Sequence, residues 1–108
     1  MDIQKLVERA KAIRELYSQL ENQKYGKEWT REQIVQGFVG DVGDLVKLTM
    51  AKEGIRNTSD VDEKLAHELS DCLWSIFIIA DKYDIDLESS FEKTMTELES
   101  KVKQDLNK

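Results

Sequence analysis

The sequence predicts an all-α fold, an antiparallel four-helix bundle formed by a single domain over residues 1 to 108. Proline is absent and only five glycines occur, so the main helix breakers and the usual turn residues of β proteins are scarce. Apolar residues make up 40% of the chain, which is enough for the core of one small domain. Apolar residues also recur three and four positions apart, the spacing of amphipathic helices.

The first predicted helix covers residues 2 to about 22. Its apolar positions form one stripe: Ile3, Leu6, Val7, Ala10, Ile13, Leu16, Tyr17 and Leu20. The next segment, ENQKYGKEWT, loses this period and contains Gly26, so it predicts a loop that carries Tyr25 and Trp29.

The second helix is predicted to begin at Thr30, which forms a capping-box pattern with Gln33. It runs to about Lys52, and Gly54 is well placed to stop it. Both helix ends are therefore marked by local sequence signals.

The third helix is predicted over residues 61 to 82, with Asp60 as its N-cap. The fourth begins near Leu87 after the candidate cap Asp86, and its apolar stripe continues through Phe91, Met95, Leu98, Val102 and Leu106. The connections between the helices are short, roughly four to ten residues, which favours antiparallel neighbours.

Charge and cysteine content limit the classes of function. A net charge of −6 argues against binding to a nucleic-acid polymer, because such binding depends on clustered lysine and arginine. The single cysteine cannot form an internal disulfide, and residues 1 to 20 lack the uninterrupted apolar core of a signal peptide. The longest apolar run, CLWSIFIIA, is far shorter than the roughly 20 residues that span a bilayer. We therefore expect a cytoplasmic protein without membrane association.

Two pairs of carboxylates stand out on the second and third helices. At 100° per residue, Asp41 shares a stripe with four apolar residues, and Asp44 follows one turn later, about 60° to the side. Glu68 likewise lies on an apolar stripe of the third helix and is followed by Asp71. If the two helices pack side by side, these four carboxylates converge on one point.

Acidic pairs at this spacing also arise by chance in a chain with 22 acidic residues. Asp60/Glu63 and Asp81/Asp84 are explained by their positions at helix ends. A carboxylate on an apolar stripe is different, because burial without a partner is costly. Buried ion pairs with lysine and a bound cation both remain open, and the absence of lysine and arginine from the stripes favours the cation.

Oxygen ligands favour a hard divalent ion, Mg²⁺ or alternatively Mn²⁺, over zinc. His67 points about 100° away from Glu68 and is predicted at the surface, whereas Cys72 is predicted to be a small core residue. Mg²⁺ held by a few carboxylates usually completes its coordination with substrate phosphates. The pattern therefore predicts phosphoryl chemistry, in which the ion activates water and a carboxylate accepts the proton.

From about Tyr25 to about Phe91 the chain resembles the MazG-like, all-α nucleoside triphosphate pyrophosphohydrolases. EWTREQIVQGFVGDVGDLVKL is similar to the family's first block, a tryptophan-containing loop followed by a helix with Glu-Glu-x-x-Glu. KLAHELSDCLWSIFIIADKYDIDL is similar to its second block, Glu-x-x-Asp followed by an apolar run and an Ile-Asp-Leu turn. The resemblance implies Mg²⁺-dependent hydrolysis of a nucleoside triphosphate to the monophosphate and pyrophosphate, a reaction suited to clearing unwanted nucleotides.

The resemblance places the metal ligands at Asp41, Asp44, Glu68 and Asp71, of which Glu68, Asp71 and Asp44 are also the candidate catalytic residues. The chain departs from the family pattern here. Gly40 stands where the first of two adjacent glutamates is expected, and aspartates replace glutamates at two ligand positions, which shortens each side chain by about 1.5 Å.

The candidate substrate-binding residues are Trp29, which could stack on the base, and Lys47 and Lys93, which could bind the phosphates. The structural alternatives are a tryptophan folded over the core and lysines on the solvated surface. Glu97 stands where the family often has a basic or amide residue. These departures keep a second interpretation open: a catalytically weak relative that binds nucleotide or metal, or serves as an oligomeric interaction module.

The third helix is apolar on nearly every side from Leu69 to Ala80. A small four-helix unit cannot cover such a surface alone, so the sequence predicts self-association as a homodimer or homotetramer. The resemblance implies the same. The alternative is that the first helix covers the second apolar face.

Overall fold

The computed structural model describes residues 2–55 and 59–108, which form four α-helices and no strand. The helices are α1 (Ile3–Tyr25), α2 (Arg31–Lys52), α3 (Val61–Lys82) and α4 (Leu87–Leu106). The predicted all-α class is confirmed, as is each predicted helix. The largest difference in bounds is at the end of α1, which continues to Tyr25.

Helix starts follow the predicted caps in α2 and α4. The Thr30 hydroxyl accepts from the backbone N–H of Gln33 at 3.2 Å, and the Gln33 side chain accepts from the N–H of Thr30 at 2.9 Å. Asp86 accepts from the N–H of Ser89 at 3.2 Å. Each such cap typically stabilises a helix by about 1 kcal/mol.

Asp60 is the N-cap residue of α3, as predicted, but the expected side-chain cap is absent. Asp60 occupies the residue before α3, but its backbone is left-handed with φ 54° and its side chain makes no capping hydrogen bond. An aspartate caps from extended backbone, which aims its carboxylate at the free N–H groups of the first turn.

The predicted stop at Gly54 is confirmed. Gly54 has φ 82°, which is unstrained for glycine, and its N–H donates to the carbonyl of Ala51 at 3.1 Å. The N–H of Ile55 donates to the carbonyl of Met50 at 2.9 Å, which completes a Schellman arrangement.

The core is centred on α3, which packs against α2 and also against α1. Ala10, Ile34, Phe77 and Ile78 form its buried part. The indole Nε1 of Trp74 donates to the carbonyl of Ala10 at 3.0 Å. Helix α1 thus covers part of the second apolar face of α3, as the alternative interpretation held, whereas Leu69, Leu73 and Ile76 remain exposed.

The second half of α1 buries polar residues in place of the predicted apolar ones. Arg14, Ser18 and Glu21 are buried, whereas Leu16 and Leu20 are exposed. Burial of the two charges is tolerated because the Arg14 guanidinium pairs with the Glu21 carboxylate.

Helix α4 contains no buried residue. Its apolar stripe, Phe91, Met95, Leu98, Val102 and Leu106, is exposed, and only Leu87 at its start packs against the core. The described part of the chain therefore leaves this stripe uncovered.

Among the described residues, no helix combines the length and the apolar character needed to cross a membrane.

Candidate metal centre

The acidic cluster consists of Asp41 and Asp44 from α2 and Glu68 from α3. One carboxylate oxygen from each residue lies within 4.8 Å of the other two. Asp41 and Glu68 are half-buried and Asp44 is exposed. The contact between α2 and α3 therefore brings three oxygen donors together at a spacing from which they could share one cation.

Glu68 has the least favourable environment of the three when no ion is bound. Its Oε1 is buried and has no hydrogen-bond partner within the described residues. Burial, followed by the charges of Asp41, Asp71 and Asp44, raises the pKa of Glu68, and His67 opposes this weakly. A buried oxygen without a partner is costly, and a cation would remove that cost.

Asp41 is oriented by Ser75 of α3. The Ser75 hydroxyl donates to Asp41 Oδ2 at 3.3 Å, and Ser75 itself is buried. Sequence reasoning assigned no role to Ser75. It could have been found, because it lies seven residues after Glu68 and so on the same side of the helix.

Asp71 lies outside the acidic cluster. Its Oδ2 is 3.2 Å from Nε2 of His67, a pair one helical turn apart, and His67 is highly exposed as predicted. The charge of Asp71 still acts on the cluster, since it raises the pKa of Glu68. The structure thus brings three of the four predicted ligands together and directs the fourth to the histidine.

Cys72 is buried and free, in agreement with the prediction of a small core residue. Burial, followed by the charges of Asp41, Glu68 and Asp71, raises the pKa of its thiol. Its sulfur is not among the donor atoms that lie together in the acidic cluster, so the donors of the candidate site are carboxylate oxygens.

Lysine and arginine form no ion pair with the cluster in residues 2–55 and 59–108. Lys52, at the end of α2, pairs with Asp62 at 2.6 Å, and Lys11 of α1 pairs with Asp81 at 3.3 Å. No ion pair joins Asp41, Asp44 or Glu68 to a basic side chain in these ranges.

A cavity of about 420 Å³, here called the aromatic cavity, adjoins one side of the cluster. It lies between α1, the following loop, α2 and α3, and Asp41 forms part of its lining. Four aromatic side chains line it: Tyr17, Tyr25, Trp29 and Trp74. Only Trp29 was predicted as a binding residue, because the spacing within α1 and α3 does not show that Tyr17 and Trp74 meet, with ring centroids 5.5 Å apart.

A second cavity of about 470 Å³, here called the lysine cavity, adjoins the other side. It is lined by Asp44 and Glu68 of the cluster and by a third carboxylate, Glu63, together with Leu48, Lys47, Lys64 and His67. Lys47 was predicted to bind phosphate, and Lys64 was not singled out. Lys93, the third predicted binding residue, lies on the exposed α4 and lines neither cavity.

The acidic cluster therefore contributes to both spaces: Asp41 to the ring-lined one, and Asp44 and Glu68 to the one that also holds two lysines and Glu63. A ligand with a planar ring at one end and anionic groups at the other could place the ring in the aromatic cavity and the anionic groups in the lysine cavity. Scans against models of known protein families, against characterised proteins and against solved structures give no match to this chain. Its chemistry is inferred from the residues themselves.

Proposed function

We propose that this protein is a Mg²⁺-dependent nucleoside triphosphate pyrophosphohydrolase of the MazG-like type, which cleaves the bond between the α and β phosphates. The acidic cluster is the observation that supports this most directly. It offers three close carboxylates, one of them with a buried oxygen that lacks a partner, and no basic side chain of the described ranges forms an ion pair with it.

The residues suit Mg²⁺, with Mn²⁺ as the second candidate. Both ions prefer oxygen donors, and three carboxylates leave coordination positions open for phosphate and water. Asp71 is close enough to influence Glu68 electrostatically, and it becomes a fourth ligand if its side chain turns away from His67.

The two cavities support a binding mode in which the base and the phosphates of a nucleotide lie on different sides of the acidic cluster. The base fits the aromatic cavity, where stacking on Trp29 and its neighbours is favourable. The phosphates would extend past the cluster towards Lys47 and Lys64. Lys93 takes part only if a second copy of the chain brings its α4 over the site.

The reaction adds water to the α-phosphorus, and the bridging oxygen leaves with pyrophosphate. When bound, the ion would neutralise the phosphate charge and make the attacking water more acidic. Glu68, Asp71 and Asp44 are the candidate catalytic residues. As long as Asp71 stays paired with His67 and does not bind the ion, it is the one of the three left to accept the water proton, and His67 would orient it.

The test is pyrophosphate release from a panel of nucleoside and deoxynucleoside triphosphates, with and without Mg²⁺. We expect release that depends on the ion and that falls by about a hundredfold or more in Glu68→Gln. Glu92→Gln, a matched change on the exposed α4, should keep full activity. No release from any nucleotide, or equal activity in Glu68→Gln, would contradict the proposal.

A second candidate is a catalytically weak relative that binds nucleotide or metal, or serves as an oligomeric interaction module. Gly40 favours it, because the family pattern has a glutamate at this position and the carboxylate is missing here. A Cβ at Gly40 would meet nothing within 4 Å, so packing does not require the glycine. Calorimetric binding of a non-hydrolysable nucleotide together with no pyrophosphate release from its natural counterpart would establish this alternative.

The proposal includes an antiparallel bundle of the all-α pyrophosphatase type. Lys52 at the end of α2 pairs with Asp62 at the start of α3, and Asp41 near the middle of α2 meets Ser75 further along α3. These pairings support opposite directions for the two helices. A cytoplasmic location also belongs to the proposal, because nucleoside triphosphates are made and used there.

We further infer a homodimer or homotetramer. The exposed stripe of α4 and the exposed Leu69, Leu73 and Ile76 of α3 are apolar surfaces of the kind that self-association covers. Sedimentation equilibrium should show a mass above 12.5 kDa that Leu98→Lys lowers towards the monomer. Ser100→Lys, which the helical period places on the opposite side of α4, should not change the mass. A monomer at every concentration would contradict the inference.

A further inference from the structure

We propose that Glu21 and Gly37 are positioning residues that hold the indole of Trp29 as a fixed wall of the aromatic cavity. Trp29 lies between α1 and α2, outside both helices, so helical hydrogen bonding does not set its position. The structure supplies two separate restraints instead. One acts on its backbone from α1, and the other acts on its ring from α2.

The backbone restraint is a buried carboxylate. Glu21 Oε1 accepts a hydrogen bond from the N–H of Trp29 at 2.9 Å. The same oxygen accepts from Nη2 of Arg14, whose Nε donates to the hydroxyl of Ser18 at 3.4 Å. Arg14, Ser18 and Glu21 are all buried on one side of α1. The Glu21 carboxylate is therefore held by Arg14 of its own helix and also binds the loop. The pairing with Arg14 offsets the cost of burying the carboxylate.

The ring restraint is the absence of a side chain at Gly37. A Cβ at this position would lie 2.9 Å from Cζ3 of Trp29, so the indole rests directly on the backbone of α2. At Gly40 and Gly43, also in α2, a Cβ would meet nothing within 4 Å. A glycine inside a helix is unfavourable in itself, and at Gly37 the packed ring provides the reason for it.

The two restraints determine where a ring stacked on Trp29 would lie relative to the acidic cluster. Glu21, Gly37 and Trp29 line the same cavity as Asp41. Stacking on this wall would bind the ring equally before and during the reaction, so displacing the wall should weaken substrate binding rather than slow the chemical step. The identity of the stacked ring as a nucleotide base rests on the proposed function, whereas the restraint on Trp29 does not.

The first measurement is acrylamide quenching of Trp29 fluorescence. The chain has two tryptophans and three tyrosines, so Trp74→Phe with excitation at the long-wavelength edge of indole absorption leaves Trp29 as the only residue excited, and circular dichroism checks that each variant folds. In this background Gly37→Ala should raise the quenching constant by about twofold, because its methyl group moves the ring away from α2. Gly40→Ala, the matched change on an open face, should leave it unchanged.

Glu21 is tested in the same background by two substitutions of similar size. Glu21→Gln keeps a carbonyl oxygen that can accept from the N–H of Trp29, and Glu21→Leu removes the acceptor. We expect Leu to raise the quenching constant and Gln to restore most of the native value. If Glu21→Leu fails to fold because Arg14 is left unpaired, Arg14→Met combined with Glu21→Leu removes both charges and should raise the quenching constant in the same way. An unchanged quenching constant in either folded variant would overturn the role of Glu21.

The second measurement is steady-state kinetics with a nucleotide that the unmodified chain hydrolyses. Gly37→Ala should raise KM by about tenfold with kcat changed by less than about twofold, a split that a general loss of folded enzyme would not produce. Unchanged quenching in Gly37→Ala would overturn the positioning role. If the unmodified chain hydrolyses no nucleotide, the proposed function fails, but the quenching result still decides the restraint on Trp29.

Discussion

Helices α3 and α4 are both amphipathic and of similar length, but they differ in what covers them. Helix α3 has buried residues along its second half and contacts both α1 and α2. Helix α4 has no buried residue, although its apolar residues keep a regular spacing of three and four positions. Periodicity thus predicts that a helix has an apolar side, and it does not predict what lies against that side.

The candidate functional residues also lie on the packed helices and not on α4. The acidic cluster and both flanking cavities are built from α2, α3 and the parts of the chain that pack on them. The predicted binding residue on α4, Lys93, lines neither cavity. Buried packing holds side chains in defined places, which is what a site needs.

The largest expected effect comes from substituting one phenylalanine on the buried side of α3 and, as its match, one on the exposed stripe of α4. Phe77 of α3 is 6% exposed and Phe91 of α4 is 56% exposed. Phe77→Ala should lower the free energy of unfolding by about 3–5 kcal/mol, because it leaves a cavity in the core. Phe91→Ala should change it by less than about 0.5 kcal/mol in urea titrations at concentrations where the chain is monomeric. Equal losses would show that α4 is covered within one chain.

Divalent ions should stabilise the α2–α3 pair by the next largest amount. At a free Mg²⁺ or Mn²⁺ concentration a hundred times the dissociation constant, the free energy of unfolding should rise by about 2.7 kcal/mol. Glu68→Gln should remove this response in thermal melts, whereas Glu92→Gln on α4 should keep it. An undiminished response in Glu68→Gln would place the ion elsewhere.

The contribution of Glu68 to the stability of the metal-free protein should fall as the pH rises past the ordinary carboxyl range. The folded state raises the pKa of Glu68 above its ordinary value of 4.5 and so binds its proton more tightly than the unfolded state does. This contribution is most favourable below pH 4.5 and is lost as the pH rises through the raised pKa. Urea titrations in a chelator should show a decline with pH that is smaller in Glu68→Gln. An equal decline in that variant would assign the effect to other groups.

The smallest expected effect concerns the open face of α2. Gly40→Ala should raise the free energy of unfolding by about 0.5–1 kcal/mol, because alanine favours the helix and its Cβ would meet nothing within 4 Å. Chemical denaturation measures this directly. A loss of stability that grows with protein concentration would show that a second copy packs closely on this face.

Much of the local structure could be predicted from neighbouring residues alone. The capping box at Thr30, the stop at Gly54 and the inward side of α2 that carries Asp41 depend on contacts within about four residues, which the sequence states directly. Asp60 shows the limit of this reasoning. Aspartate favours the N-cap position, but the left-handed backbone of Asp60 goes with the absence of a capping hydrogen bond from its side chain.

Other features depended on how helices meet. The pairing of Asp71 with His67 required particular side-chain conformations, and the burial of Arg14 with Glu21 required a neighbouring loop whose N–H the carboxylate could also bind. Neither follows from the apolar pattern, which placed Leu16 and Leu20 on the predicted buried side of α1.

By itself the sequence determined four helices, most of their ends and the sides on which acidic residues interrupt apolar stripes, because helical geometry repeats over a few residues. Only the tertiary structure decided that Asp41, Asp44 and Glu68 share one point, that Trp29 rests on Gly37, and that α4 stays uncovered. Those outcomes depend on distances between helices, which are set by the packing of side chains far apart in the chain.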